Sequence, residues 1–187
     1  MVNYGDAMRV AIFIGSSCGS DPSYARAAAQ LATYLAEHGV GIVYGGGHVG
    51  LMGVVADAAM AAGGEVIGVI PRSLADAEVA HLDLTSLEIV ENMHDRKARM
   101  AQLSDAFVAL PGGIGTMEEF FEVWTWLQLG IHAKPVALYD VCDFWAPMRA
   151  LLTGMVDGGF LRAETADRLI QVDEPIALLR QIENWQA

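Results

Sequence analysis

The most informative stretch of this chain is Leu110-Pro111-Gly112-Gly113-Ile114-Gly115-Thr116-Met117-Glu118-Glu119. The stretch follows the apolar run Ala106 to Leu110, which is typical of a buried strand, and opens an apolar-rich segment, Thr116 to Leu129, that is typical of a helix. Glycines between a strand and a helix let the backbone turn tightly and bring amide N–H groups close to an anion. The stretch therefore predicts a backbone cradle for an anionic ligand, with two carboxylates at the start of a helix.

The rest of the chain alternates short apolar strands with helical segments. Six strands are predicted, at residues 9–15, 40–44, 65–70, 87–90, 106–110 and 135–139. Such alternation, with near-continuous apolar strands, indicates a mostly parallel sheet covered on both faces. We predict an α/β fold, a single Rossmann-like three-layer domain with a mostly parallel sheet flanked by helices. It is expected to span residues 9–187 as one nucleotide-binding domain, after a flexible N-terminal segment at residues 1–8.

Composition narrows the class of protein. The net charge of −12 disfavours a nucleic-acid partner, because phosphate backbones are bound by clustered lysine and arginine. No run of about 18 apolar residues offers a membrane span, and the N-terminus lacks the basic and apolar regions of a secretory signal. Two cysteines are too few for a disulfide framework or a zinc site. We expect a cytoplasmic protein with no membrane partner.

A second glycine turn, Gly45 to Gly50, follows the second predicted strand and matches the G-x-G-x-x-G spacing of dinucleotide sites. That fingerprint also needs an acidic residue at the end of the next strand, where this chain has Val69-Ile70-Pro71-Arg72. Three interpretations stay open: a dinucleotide site, a purely structural turn, and a wall of backbone amides for a mononucleotide. The third fits the sequence best.

Two cations, Arg96 and Lys97, lie together in a helical segment of a chain that has only two lysines. Arginine holds phosphates and carboxylates through a planar bidentate fork, so the pair is a candidate for binding or orienting an anion. A solvated helix face, with Asp95 paired to Arg99, explains the local sequence about equally well.

The opening stretch also has a structural interpretation. Thr116 and Glu119 have the spacing of a capping box, in which Thr116 would cap the helix and Glu119 would bond back to its amide. A capping box does not require the preceding Pro-Gly-Gly or a second acid at Glu118, so both interpretations are retained.

With these motifs identified, the chain resembles the LOG ("lonely guy") family of cytokinin riboside 5′-monophosphate phosphoribohydrolases. The resemblance runs from Val10 to about Leu161. It rests on Tyr44 to Gly53, on Met93-His94-Asp95-Arg96-Lys97 and on Pro111 to Glu119. Similar proteins have often been labelled lysine decarboxylases, but neither Lys97 nor Lys134 is well placed for a pyridoxal Schiff base.

The resemblance implies that Arg96 and Glu119 are the catalytic pair, and that the protein forms a homodimer. It implies a nucleotide site lined by Glu78, Lys97, Gly113, Ile114, Gly115, Thr116, Met117, Glu118 and Thr125. The glycine turn adds Gly45, Gly46 and Gly47 as a second wall. Ile114 stands where the family commonly has an aromatic residue, which puts the preference for the base in question.

The expected reaction is hydrolysis of the N-glycosidic bond of N6-substituted adenosine 5′-monophosphates, with AMP as a further candidate substrate. No metal or cofactor is required, because amides, arginine and glutamate supply the electrostatics. The main alternative is a non-catalytic nucleotide-sensing protein that uses the same loops and releases no product. A nicotinamide oxidoreductase is the third hypothesis.

Overall fold

The computed structural model describes residues 7–75 and 80–186. The strands are β1 (Arg9–Phe13), β2 (Gly41–Tyr44), β3 (Val66–Pro71), β4 (Ser86–Val90), β5 (Ala106–Ala109), β6 (Val136–Tyr139) and β7 (Ile170–Val172). The helices are α1 (Pro22–Glu37), α2 (Gly50–Ala61), α3 (Arg72–Ala75), α4 (Met93–Leu103), α5 (Ile114–Gln128), α6 (Ala146–Asp157), α7 (Ala163–Asp167) and α8 (Pro175–Glu183).

The strands form one sheet in the order β4-β3-β2-β1-β5-β6-β7, and every pairing is parallel. β1 lies at its centre, where Val10 is in register with Ile42 of β2 on one side and Ala106 of β5 on the other. The chain therefore builds the sheet outward from β1 to β4, then returns to the other side of β1. The predicted α/β fold is confirmed.

Side-chain alternation along the strands divides the core into two layers. Val10 and Ile12 of β1 pack in a cluster with buried residues of α1, α2 and α8. Ala11 and Phe13 point the other way and pack with buried residues of α4, α5 and α6. Because both faces of the sheet are covered, its central strands are apolar at nearly every position.

Several boundaries differ from the prediction. The six-strand prediction was one strand short, since β7 pairs with the edge of β6 through only three residues. The helix predicted from Thr116 begins two residues earlier, at Ile114. The predicted flexible segment, residues 1–8, falls mostly outside the described residues. Within the described ranges, no helix is both long and apolar enough to cross a membrane.

Candidate active site

A cleft of about 270 Å³ opens at the carboxyl ends of the central strands. Its walls come from the segments after β1, β2 and β5, together with α4. The strand order reverses between β1 and β5, and this is where ligands bind in open parallel sheets. The lining residues are Ile12, Ile14, Ser16, Gly45, Met52, Leu74, Met93, Arg96, Gly113, Ile114, Gly115, Thr116, Glu118 and Glu119.

The N-terminus of α5 forms one wall of this cleft. Gly113 is the extended N-cap residue, and the Met117 amide donates to its carbonyl oxygen at 3.1 Å. The N–H groups of Ile114, Gly115 and Thr116 therefore precede the bonded part of the helix, and such groups bind anions. The geometry suits a phosphate at this wall.

The predicted capping box at Thr116 and Glu119 is wrong. Thr116 lies inside the first turn of α5, and the N-cap Gly113 has no side chain with which to cap the helix. Glu119 is consequently in the second turn, where it lines the cleft. A side-chain cap occurs at α4 instead: the Asp95 amide donates to Asn92 Oδ1 at 3.0 Å, and the two side chains are also joined, with Asn92 Nδ2 donating to Asp95 Oδ2 at 2.8 Å.

Arg96 is held in place in the wall of the cleft by hydrogen bonds to two backbone carbonyl groups. It is buried, with 5% of its surface exposed. Nε donates to the carbonyl oxygen of Val69 at 3.1 Å, and Nη2 donates to that of Gly45 at 2.9 Å. The guanidinium occupies the space that a Cβ at residue 45 would need. These bonds fix the charge at the edge of the sheet, so the solvated-face interpretation of the basic pair is wrong for Arg96.

Lys97 is not one of the residues that line the cleft, and it is also buried. Its Nζ donates to Glu118 Oε1 at 2.5 Å and to Glu122 Oε1 at 3.1 Å. Burial disfavours its charged form, but the hydrogen bonds that Lys97 donates to Glu118 and Glu122 outweigh burial and raise the pKa of Lys97. Because Glu118 lines the cleft, Lys97 influences the cleft by fixing the position of the Glu118 carboxylate.

The predicted pairing of Asp95 with Arg99 is replaced by a bidentate pair between Arg99 and Glu88.

Most of the predicted residues line the cleft. It brings together Arg96, Glu119, Glu118, Gly45 and residues 113–116. Met117 packs instead against the core beneath α5, and Thr125 is exposed more than two turns along that helix. Glu78 lies outside the described residues. Their predicted roles remain predictions.

The second glycine turn serves two purposes. Gly45 lines the cleft. Gly46, at φ 78°, turns away, and its carbonyl oxygen accepts a 2.9 Å bond from the His81 amide. Gly47 forms an isolated bridge with Ala80. Gly45 therefore lines the cleft, while Gly46 and Gly47 bind the segment at Ala80 and His81.

Sequence reasoning missed the apolar part of the lining. Its members are Ile12, Ile14, Met52, Leu74 and Met93, and they face the cleft together with the predicted Ile114. Ile14 directly follows the last residue of β1, so its position in the sequence could have predicted that it lies at the carboxyl edge of the sheet. Met52 and Leu74 come from α2 and α3, and nothing local distinguishes them from core residues. The cleft therefore combines an amide and charge wall with an apolar one.

The two lysines of the chain are both engaged. Lys134 Nζ donates to the carbonyl oxygens of Ala101 and Ser104, at 2.7 and 2.5 Å, and Lys97 is held by two carboxylates. Neither lines the cleft. This arrangement does not suit a lysine that must form a Schiff base.

Comparison with known proteins identifies close relatives. Residues 52–182 match the family model described as "Possible lysine decarboxylase". The chain is 48% identical over 179 residues to cytokinin riboside 5′-monophosphate phosphoribohydrolase LOG of Oryza sativa subsp. japonica, covering 95% of this chain and 73% of that protein. It is 43% identical over 175 residues to a protein of the same description from Rhodococcoides fascians, covering 91% and 88%.

More distant solved structures share the fold. A molybdenum cofactor binding protein from Rippkaea orientalis superposes with a TM-score of 0.71 at 20% identity, covering 96% of this chain and 97% of that one. The molybdenum cofactor carrier protein of Chlamydomonas reinhardtii gives 0.68 at 20% identity, covering 95% and 96%. At this identity the likeness extends to the fold alone.

Proposed function

The chain belongs to the LOG family of cytokinin riboside 5′-monophosphate phosphoribohydrolases, and we propose that it hydrolyses the N-glycosidic bond of these nucleotides. The products are the free N6-substituted adenine and ribose 5-phosphate. One observation carries the proposal: the cleft places the open N-terminus of α5 beside Glu119 and the buried Arg96. An anion site next to a carboxylate suits a phosphorylated sugar whose reacting carbon becomes cationic.

In this proposal the 5′-phosphate lies at the N–H groups of Ile114, Gly115 and Thr116. Glu118 and Glu119 follow on the second turn, and their charge would repel a phosphate placed against them. The phosphate therefore sits at the helix end, with the ribose between it and the carboxylates. The apolar side chains of the lining are left to contact the base and its substituent, whose burial they favour.

Breaking the bond from C1′ to the base leaves positive charge on the sugar, as in other glycoside hydrolyses. The ionised carboxylate of Glu119 stabilises that charge and accepts a proton from the water whose oxygen bonds to C1′. The departing base takes up a proton from solvent, and Glu119 returns its proton to solvent, so that the carboxylate is ionised again. Arg96 binds substrate oxygens or orients Glu119 from its fixed position at Gly45 and Val69. Lys97 orients Glu118, which contacts the sugar. No step requires a metal ion.

The test is a substrate panel: isopentenyladenosine 5′-monophosphate, AMP, the unphosphorylated riboside and lysine. Both monophosphates are expected to yield free base and ribose 5-phosphate, and the riboside much less. Equal hydrolysis of the riboside would refute the phosphate position, and CO₂ release from lysine would refute the assignment. Binding of the nucleotides with no product would favour the sensing alternative.

Glu119→Gln tests the catalytic role, because it keeps the shape of the side chain and removes its charge. Turnover is expected to fall at least ~100-fold, while the variant still binds substrate. Glu164→Gln is the matched control, since Glu164 is exposed on α7 outside the cleft. A near-wild-type rate for Glu119→Gln would remove Glu119 from the mechanism.

We also propose that the protein is a cytoplasmic homodimer whose single domain, residues 9–187, binds the nucleotide. The family resemblance supports the dimer. Thr125 is exposed on α5 away from the cleft, so its implied role in a nucleotide site needs a second chain. Light scattering after gel filtration should give twice the chain mass of 20.0 kDa, and a monomer would leave Thr125 without that role.

A further inference from the structure

Two histidines and an aspartate converge outside the cleft lining. His48 lies in the turn after β2, Asp57 is on α2, and His81 lies in the segment before β4. His81 Nε2 is 2.9 Å from Asp57 Oδ1, and His48 Nε2 is 3.4 Å from Asp57 Oδ2. The two imidazole rings are 4.2 Å apart. The ligand atoms of all three side chains lie within 4.8 Å of one another, the one such cluster of three in the described ranges.

We propose that His48, Asp57 and His81 bind a transition-metal dication of the zinc type, with water completing the coordination. Two imidazoles and a carboxylate are a donor set that zinc uses in proteins. A tetrahedral ion with bonds of about 2.0–2.1 Å separates its ligand atoms by about 3.4 Å. The 3.4 Å separation of His48 Nε2 from Asp57 Oδ2 matches that value, and the 2.9 Å separation of His81 Nε2 from Asp57 Oδ1 is shorter. All three ligand atoms lie within 4.8 Å of one another, so rotation of the exposed His48 and Asp57 side chains would bring them around one ion.

The cluster is accessible to an ion and has a suitable charge. The side chains of His48 and Asp57 are 47% and 60% exposed, whereas His81 is 5% exposed and anchors the site from beneath. With Asp57 ionised and both imidazoles neutral, the three ligands carry one negative charge. The overall charge of −12 further favours a cation at the surface.

Binding has one identifiable cost. The Asp83 amide donates to His81 Nδ1 across 3.3 Å, so His81 carries its proton on Nε2 and donates it to Asp57. A metal ion at Nε2 displaces that proton, and the neutral ring must then carry its proton on Nδ1. The Asp83 amide has to turn away, which gives up one long hydrogen bond that is weak beside a metal–nitrogen bond.

The ion would add to the backbone bonds that already join two of these segments. The His81 amide donates to the carbonyl oxygen of Gly46, and Ala80 bridges Gly47. Gly45, one residue earlier, accepts the bond from Arg96. A metal here therefore stabilises the wall behind Arg96 without entering the cleft, and the proposed hydrolysis does not depend on it.

The experiment is a titration of the full, chelator-treated chain with Co²⁺ and Zn²⁺. It is performed in a Cys18→Ser, Cys142→Ser background, because both thiols are exposed and bind these metals. We expect one ion per chain, a visible Co²⁺ absorption band of low coordination number, and a rise in Tm with Zn²⁺. His48→Gln and Asp57→Asn, both at exposed positions, should each weaken binding at least ~10-fold.

His38→Gln is the matched control, because His38 is an exposed histidine at the end of α1, bonded to the Tyr34 carbonyl oxygen. It should bind metal as the parent does. A parent chain that binds no ion, or His48→Gln and Asp57→Asn variants that bind as tightly as the parent, would overturn the proposal. The three side chains would then only be hydrogen-bonded to one another, without a metal ion. Hydrolysis is measured separately, so failure of the metal site leaves the proposed reaction standing.

Discussion

Arg96 and Gly45, 51 positions apart in the chain, are joined by a 2.9 Å hydrogen bond from Nη2 to the Gly45 carbonyl oxygen. The guanidinium fills the space where a Cβ at residue 45 would lie. Residue 45 must therefore be a glycine, because a side chain there would displace the guanidinium of Arg96.

Gly45→Ala should displace the guanidinium while leaving the fold intact, because the clashing atoms are at the end of a flexible side chain. A shift of about 1 Å in a catalytic group costs about 100-fold in rate, so we expect kcat/KM to fall by that order. Gly154→Ala is the control: a Cβ there meets nothing within 4 Å. It should keep full activity, and equal activity of both variants would contradict the role of Gly45.

Lys97→Met should leave Glu118 and Glu122 without their shared cation. Loss of hydrogen bonds to a charged group costs about 1–3 kcal/mol of unfolding free energy, partly offset because Glu118 is half exposed. We also expect kcat/KM to fall, since Glu118 lines the cleft. Urea denaturation measures the first effect. Adding Glu122→Gln should recover part of the stability, and no recovery would argue against the paired arrangement.

Removing a side-chain oxygen should destabilise the protein more at Asn92, which caps α4, than at Thr116, which does not cap α5. Asn92→Ala removes the side-chain oxygen that accepts from the Asp95 amide, and should lower the unfolding free energy by about 1 kcal/mol. Thr116→Val keeps the shape of a residue that is not the N-cap of α5, and should cost less. Thermal or urea unfolding of both variants is the check. A larger loss for Thr116→Val would restore it as a capping residue.

Tyr139 should make the fold sensitive to alkali. Burial, aided by Glu174 and Asp173, raises the pKa of Tyr139 from 10.0 to about 12. The unfolded chain ionises first as the pH rises, so this contribution to stability is complete below pH 10 and is lost between about pH 10 and 12. Tyr139→Phe should lose less stability over that window. Parallel losses in the two proteins would exclude Tyr139 as the cause.

Local signals predicted much of the fold. Asp21 followed by Pro22 is a sequence signal for the start of a helix, and Asp21 does cap α1, accepting from the Ser23 amide at 2.7 Å. The start of α5 was misplaced because Thr116 and Glu119 have cap spacing, whereas the extended backbone at Gly113 begins the helix two residues sooner. β7 was missed because three residues carry too little periodicity.

The site was predicted less completely. Arg96, Glu119 and the helix end have motif signals and were placed together. The ion pairs of Lys97 with Glu118 and Glu122 join two helices across more than 20 positions, so no local pattern contains them. The same holds for His48, Asp57 and His81, which come from three separate segments. Such contacts follow from how the helices pack on the sheet.

The central position of β1 sets the order in which the cleft can form. Val10 pairs with Ile42 and with Ala106, so the second pairing closes a chain segment about three times as long, at a greater entropic cost. The strands from β1 to β4 pair with strands that are near them in sequence, so this half of the sheet can form first. It provides the wall of the cleft that contains Gly45, but not the wall at α5. The α5 wall of the cleft, the proposed phosphate site, arrives with the β5 pairing. Conditions that release β5 from β1 would abolish ligand binding while half of the sheet is still formed.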